Sequence, residues 1–127
     1  MARLLVVDDD PDLLLLMRAR FGARGHEVAV ADSAAGGVTL AAARPPDLLL
    51  LDFCLPRMDG ARVLQLLRAD ALTQALPVIV LSAADRSLVA SRLPSDPLTR
   101  VLEKPFDFDE LDALIRELLG AAAFPAA

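Results

Sequence analysis

Four short runs of purely apolar residues punctuate the chain: Leu4–Val7, Val28–Ala31, Leu48–Leu51 and Val78–Leu81. Each is bounded by charged or turn-forming residues and is too short for a helix, so each reads as a strand. None alternates with polar residues. A strand of that kind has both faces covered, which is the situation of a parallel sheet packed between helices. Val101-Leu102 marks a weaker fifth strand.

The segments between these runs carry helical signals. Asp10 followed by Pro11 is an N-cap and a first-turn proline, and Leu13, Leu16, Met17 and Phe21 then form a core-facing stripe, with Gly22 and Gly25 placed to end the helix. On this phase Leu14 and Leu15, like Leu66 further on, fall off the core stripes as scattered exposed leucines. Ser33 caps a second helix to about Ala43, in which Gly36 and Gly37 are tolerated at a cost of ~1 kcal/mol each. Val63, Leu64 and Leu67 mark a third helix, and Asp85 to Leu93 a fourth that Pro94 and Pro97 close. Pro94 to Arg100 should then be an irregular loop. Leu111, Leu114, Ile115 and Leu118 mark the last helix, opened by Asp107 or Asp109. The Ala-rich tail after Gly120 is expected to fray.

Strand and helix thus alternate through one domain, residues 1–120, followed by a short tail, 121–127. That alternation calls for an α/β, doubly wound three-layer sandwich with right-handed crossovers, and a flavodoxin-like parallel sheet in the order 2-1-3-4-5 is one of its two common forms. The length of 127 residues suits one core. A single cysteine excludes an internal disulfide, and a net charge of −5 argues against direct nucleic-acid binding. Only Leu4 to Val7 stand between Arg3 and Asp8, too little for a signal peptide, and the run Leu48–Leu51 is far short of a membrane span. A cytoplasmic protein without membrane insertion is the expectation.

In such a sheet ligands bind outside the carboxyl ends of the strands, where the strand order reverses. The residues there are Asp8, Asp9 and Asp10 after the first strand, Asp52 after the third, Ser82 after the fourth, and Glu103 and Lys104 at the fifth. In the 2-1-3 order Asp8, Asp9 and Asp52 converge. Two carboxylates ~4 Å apart repel by ~4 kcal/mol at an effective dielectric of ~20, so three of them need a cation. All-oxygen ligands suit Mg²⁺ (or Mn²⁺), which favours a phosphate partner. With the Lys104 ammonium and the Ser82 hydroxyl facing the same place, the set amounts to a phosphoryl-transfer site with a carboxylate as the attacking group.

The strings LLVVDDDPDLL, DLLLLDFCLPRMDG, VIVLSAAD and LEKPFDFDEL, in this order and spacing, resemble the receiver domain of two-component response regulators over Arg3 to Leu119, of the stand-alone, chemotaxis-regulator-like kind. The resemblance implies that Asp52 is the phospho-acceptor, that Asp9 binds Mg²⁺ directly, and that Asp8 holds it through water. It also implies a third ligand in the backbone carbonyl of Cys54, pairing of Lys104 with the phosphoryl group across a cis Lys104–Pro105 bond, and a Ser82 hydroxyl that moves to a phosphoryl oxygen. The implied phosphodonor is a histidine kinase or histidine phosphotransfer protein. The implied output is binding of a downstream protein whose identity the sequence leaves open. With no output domain in 127 residues, a stand-alone switch is expected. A homodimer, where one forms, would use the face made by the fourth helix, fifth strand and fifth helix.

Two departures stand out. Val101 occupies the position where the family often has an aromatic switch residue, and PSDPLTR replaces the usual small residues before the fifth strand. Val101 is the one feature in favour of a phosphorylation-independent interaction module on the same fold. An Asp-nucleophile phosphatase would want a second acid where Cys54 stands. The Cys54 thiol has no second cysteine for redox or metal-thiolate chemistry, and His26 reads as a structural or surface residue.

Overall fold

A computed structural model describes residues 1–126. Strands and helices alternate strictly: β1 (Arg3–Val7), α1 (Pro11–Ala23), β2 (Glu27–Ala31), α2 (Ala34–Ala43), β3 (Leu48–Asp52), α3 (Gly60–Ala69), β4 (Val78–Ser82), α4 (Arg86–Arg92), β5 (Thr99–Glu103) and α5 (Phe108–Leu119). The five strands form one parallel sheet in the order β2-β1-β3-β4-β5. This is the flavodoxin-like arrangement. Among the described residues no helix is long and apolar enough to cross a membrane.

The absence of polar alternation in the strands has a direct cause. Leu5 and Val7, Leu49 and Leu51, and Val78 and Val80 point to one face, where they pack with Ala41 of α2, Val63, Leu64 and Leu67 of α3, and Val89 of α4. Leu4 and Val6, Leu48 and Leu50, and Ile79 and Leu81 point to the other, where they meet Met17 and Phe21 of α1 and Leu111 and Ile115 of α5. Successive side chains of a strand alternate between two apolar layers, so both must be apolar. The edge strand β2 is half-buried along its length.

The helix ends follow local chemistry. Asp10 caps α1 by accepting from the Asp12 and Leu13 N–H groups. Of the two acids expected to open α5, Asp107 is the N-cap, closed reciprocally by Glu110.

Several expectations are corrected. The buried stripe of α1 is Leu14, Met17 and Phe21, while Leu16 is 50% exposed and Leu13 only half-buried. Leu13 to Met17 are uninterruptedly apolar, so their order carries no phase, and the packing of the helix on the sheet selects one. Leu15 is indeed exposed, and Leu66 is half-buried. Helix α1 continues through Gly22 to Ala23, and the chain turns at Gly25, whose φ of +87° suits glycine. Thr99 and Arg100, expected in a loop, belong to β5, held there by pairing with Val78 and Ile79 of β4. The segment after Gly120 does not fray, because Phe124 is fully buried against Phe21 and His26. Ala127, the last residue of the expected tail, lies outside the described residues.

Gly37 is also more than tolerated. A Cβ there would lie 2.6 Å from Cγ2 of the buried Val7, so α2 sits on β1 at a distance only glycine allows.

Candidate functional site

The carboxyl ends of β1, β3, β4 and β5 meet at one edge of the sheet. Asp8 follows β1, its N–H bonded to the Ala31 carbonyl, and its side chain is almost wholly buried. One Asp8 oxygen accepts from the Asp10 N–H at 2.9 Å and the other from Lys104 Nζ at 2.9 Å. Asp52 closes β3, also buried, with Oδ1 accepting from the Cys54 N–H at 3.3 Å and lying 3.7 Å from Lys104 Nζ. Asp9 is exposed, and carboxylate oxygens of Asp8, Asp9 and Asp52 all lie within 4.8 Å of one another.

Lys104 reaches this point because β5 continues past β4: its N–H bonds the Ser82 carbonyl at 2.6 Å, and the Lys104–Pro105 peptide is cis. Ser82 ends β4, fully buried, with its hydroxyl accepting from the Ala84 N–H at 3.0 Å rather than facing a carboxylate. Cys54 is exposed, two residues beyond Asp52, and touches it through its backbone N–H. The structure thus brings Asp8, Asp9, Asp52 and Lys104 together in space, with Cys54 and buried Ser82 at the same edge of the sheet.

The electrostatics are set by three carboxylates around one ammonium. Burial raises the Asp52 pKa above 3.8, the Asp8 charge adds to it, and the Lys104 ammonium and Cys54 N–H offset only part of the rise. Burial by itself would depress Lys104, but the Asp8 hydrogen bond and the Asp52 and Asp8 charges outweigh it and hold the ammonium above its usual value. The cluster thus carries an unbalanced negative charge on hard oxygen donors, which fits a small divalent cation.

A consequence follows for stability. Because the folded-state pKa of Asp52 is raised, its charge weighs on the fold as pH rises from 3.8 through the raised value. With metal chelated, Asp52→Asn is expected to raise the thermal midpoint at neutral pH by a few degrees. The advantage should shrink as pH falls through that window. Thermal melts of both proteins across the acid range check this, and an unchanged or lowered midpoint at neutral pH would refute it.

Two features near the site were not assigned a role from sequence. Glu103 accepts from the Arg86 N–H at 3.0 Å, tying the end of β5 to the first turn of α4. Beside Lys104, an open depression of about 430 Å³ is lined by Asp10, Leu13, Leu16, Ala83, Pro105, Phe106 and Phe108. Only the register of β4 on β5 brings Glu103 to α4, so no local motif announces it. The larger depression, about 560 Å³, lies away from the carboxylates between α4 and α5, and half-buried Val101 lines it with Arg86, Ala90 and Leu114.

Residues 4–116 match the family model described as the response regulator receiver domain. The chain belongs to that family. It is 33% identical over 120 residues to Protein PilH of Pseudomonas aeruginosa, covering 94% of this chain and 99% of that protein. It is 36% identical to the DNA-binding dual master transcriptional regulator RpaA of Synechocystis sp., covering 94% of this chain but 49% of RpaA. The chain therefore spans about half the length of RpaA and nearly all of PilH. Among solved structures, a sensor protein from Polaromonas sp. JS666 superposes with a TM-score of 0.80 at 31% identity, covering 92% of this chain and 94% of that one. The Francisella response regulator 1452 receiver domain gives 0.80 at 27% identity, covering 96% and 99%. Receiver domains serve two-component signalling and are not conventional enzymes, which places the acidic edge of this sheet in a phosphorylation-based signalling domain.

Proposed function

We propose that this receiver domain accepts a phosphoryl group on Asp52 from a histidine kinase or histidine phosphotransfer protein and thereby changes its binding to a downstream protein. The observation that carries the reading is the placement of the Lys104 ammonium between buried Asp8 and Asp52, with Asp9 beside them. Asp9, Asp52 and the backbone carbonyl of Cys54 would hold Mg²⁺ or Mn²⁺ directly, with Asp8 acting through water. When bound, the ion supplies positive charge to the phosphoryl oxygens.

The protein's own groups do the rest. A carboxylate oxygen of Asp52 attacks phosphorus, the bond from phosphorus to the donor imidazole nitrogen breaks, and its electron pair returns to that nitrogen. Lys104 neutralises the charge that spreads over the phosphoryl oxygens. The Ser82 hydroxyl turns from the Ala84 N–H to a phosphoryl oxygen, freeing the first turn of the β4–α4 loop. The loop runs directly into α4, whose Arg86 N–H is tied to Glu103 of β5, so a shift there reaches α4 and the end of β5 without an aromatic at position 101. The apolar depression beside Lys104 offers the donor protein a docking surface next to the site. We assign the action to the cytoplasm, without direct nucleic-acid contact. Pairing of two copies, where it occurs, would use the α4–β5–α5 face.

Incubation with acetyl phosphate and Mg²⁺ followed by intact mass measurement tests the proposal. An adduct of ~80 Da is expected on the wild type, dependent on Mg²⁺ and absent in Asp52→Asn. An adduct that persists in the variant, or none from any donor while Mg²⁺ binds, would sink it.

A further inference from the structure

The segment after α5 is pinned at the opposite end of the sheet from the carboxylates. The Phe124 ring meets Phe21 edge-on at 5.9 Å and stacks on the His26 imidazole at 4.7 Å, the two planes 15° apart. The backbone is held as well: the Phe124 N–H bonds the Gly120 carbonyl at 3.0 Å, and Arg116 Nε bonds the Phe124 carbonyl at 3.1 Å. His26 is itself buried, and its Nδ1 accepts from the Ala2 N–H at 3.0 Å. An imidazole nitrogen that accepts a hydrogen bond carries no proton, so the closed arrangement requires the neutral ring with its proton on Nε2.

We propose that His26 and Phe124 form an acid-labile latch, which holds residues 121–126 against the end of α1 and opens when Nδ1 of His26 takes a proton from solvent. Protonation turns both ring nitrogens into donors. The Ala2 N–H then faces an N–H instead of a lone pair, and a buried cation replaces a neutral ring. The surroundings do not welcome that charge. The α-ammonium of Met1 and the guanidinium of Arg24 are both positive, and Arg116 already lies 6.0 Å from the centre of the Phe124 ring. On β2, Glu27 is taken by Arg3 and Arg44, and on α5 the Asp112 carboxylate is shared between Arg20 and Arg24. Burial first, and then the Met1 and Arg24 charges, depress the imidazole below 6.5 against the weaker pull of Asp112. The sign follows: the latch is fully stable above 6.5 and loses stability as pH falls from 6.5 through the lower closed-state value.

The protein has a single histidine, so its ring titration by NMR is unambiguous. Between pH 7.5 and 5.0, hydrogen exchange at the Phe124 amide, corrected for intrinsic rate, is expected to accelerate at least about tenfold and to stay faster at every pH than that of Leu50 in β3, which needs wider unfolding. His26→Gln, which offers Ala2 a neutral acceptor at every pH, should abolish the acceleration. Phe124→Ala provides the reciprocal reading, because linkage requires that what protonation does to the latch, the latch does to protonation. A tenfold effect corresponds to a rise of about one unit in the His26 midpoint in that variant. Constant Phe124 protection down to pH 5.0, the same pH dependence in His26→Gln, or an unmoved His26 midpoint in Phe124→Ala would each overturn the latch.

Discussion

Lys104→Ala is expected to slow phosphoryl transfer to Asp52 by about 10²–10³-fold, the usual cost of deleting one group aimed at developing negative charge. The side chain supplies the only ammonium among the three carboxylates, 2.9 Å from Asp8 and 3.7 Å from Asp52. Its loss acts on the reaction more than on the fold: Asp8 keeps the Asp10 N–H, and Asp52 keeps the Cys54 N–H. Affinity for Mg²⁺ should be retained or increased, because removing a positive charge deepens the negative potential that draws the cation. The diagnostic result is therefore a split, with slow adduct formation by mass spectrometry beside undiminished metal binding. The chain has no tryptophan or tyrosine, so intrinsic fluorescence cannot report the binding, and calorimetry is the appropriate probe. Parallel loss of both would assign Lys104 to assembling the site rather than to the transfer step. A wild-type rate would remove it from the chemistry.

The carboxylate edge was legible because Asp8, Asp52 and Ser82 each directly follow an apolar run, with Asp9 next to Asp8. Asp52 ends a row of four leucines, and a bare acid beside that much apolar surface requires a partner. Once Asp8 and Asp52 are placed on adjacent parallel strands, the parallel register alone brings them to the same edge. What stayed hidden depends on partners remote in sequence. Phe124 stands in an Ala-rich stretch that reads as a loose end, and its burial needs Phe21 and His26 from the other end of the chain. Asp112, to which no local motif assigns a role, is buried between Arg20 of α1 and Arg24 at the C-cap of that helix. The phase of α1 was illegible for a different reason. Its consecutive apolar residues satisfy several core stripes equally, and only the sheet beneath selects Leu14 over Leu16.

Gly37 carries that argument to a result in which local preference and packing predict opposite signs. In a helix interior, alanine is favoured over glycine by about 1 kcal/mol, so Gly37→Ala would stabilise α2 if Gly37 were merely tolerated. The new Cβ would stand 2.6 Å from Cγ2 and 3.0 Å from Cγ1 of Val7, a side chain with almost no exposure in the layer shared with Ala34 and Ala41. Val7 is β-branched and stiff, and it is hemmed in by β2 and β3 on either side, so it cannot give way cheaply. Overpacking of this kind costs about 1–3 kcal/mol, and the net effect of Gly37→Ala is expected to be destabilising. Denaturant unfolding decides the sign directly. The double variant Gly37→Ala with Val7→Ala removes the colliding methyls, so its stability should exceed the sum expected from the two single variants by about 1 kcal/mol or more, the signature of residues in contact. If Gly37→Ala proves more stable than the wild type, α2 has room to rise from the sheet and the close approach is not required by the fold. If it is less stable and Val7→Ala rescues it, the spacing of α2 on β1 is held by the absence of a single methyl group.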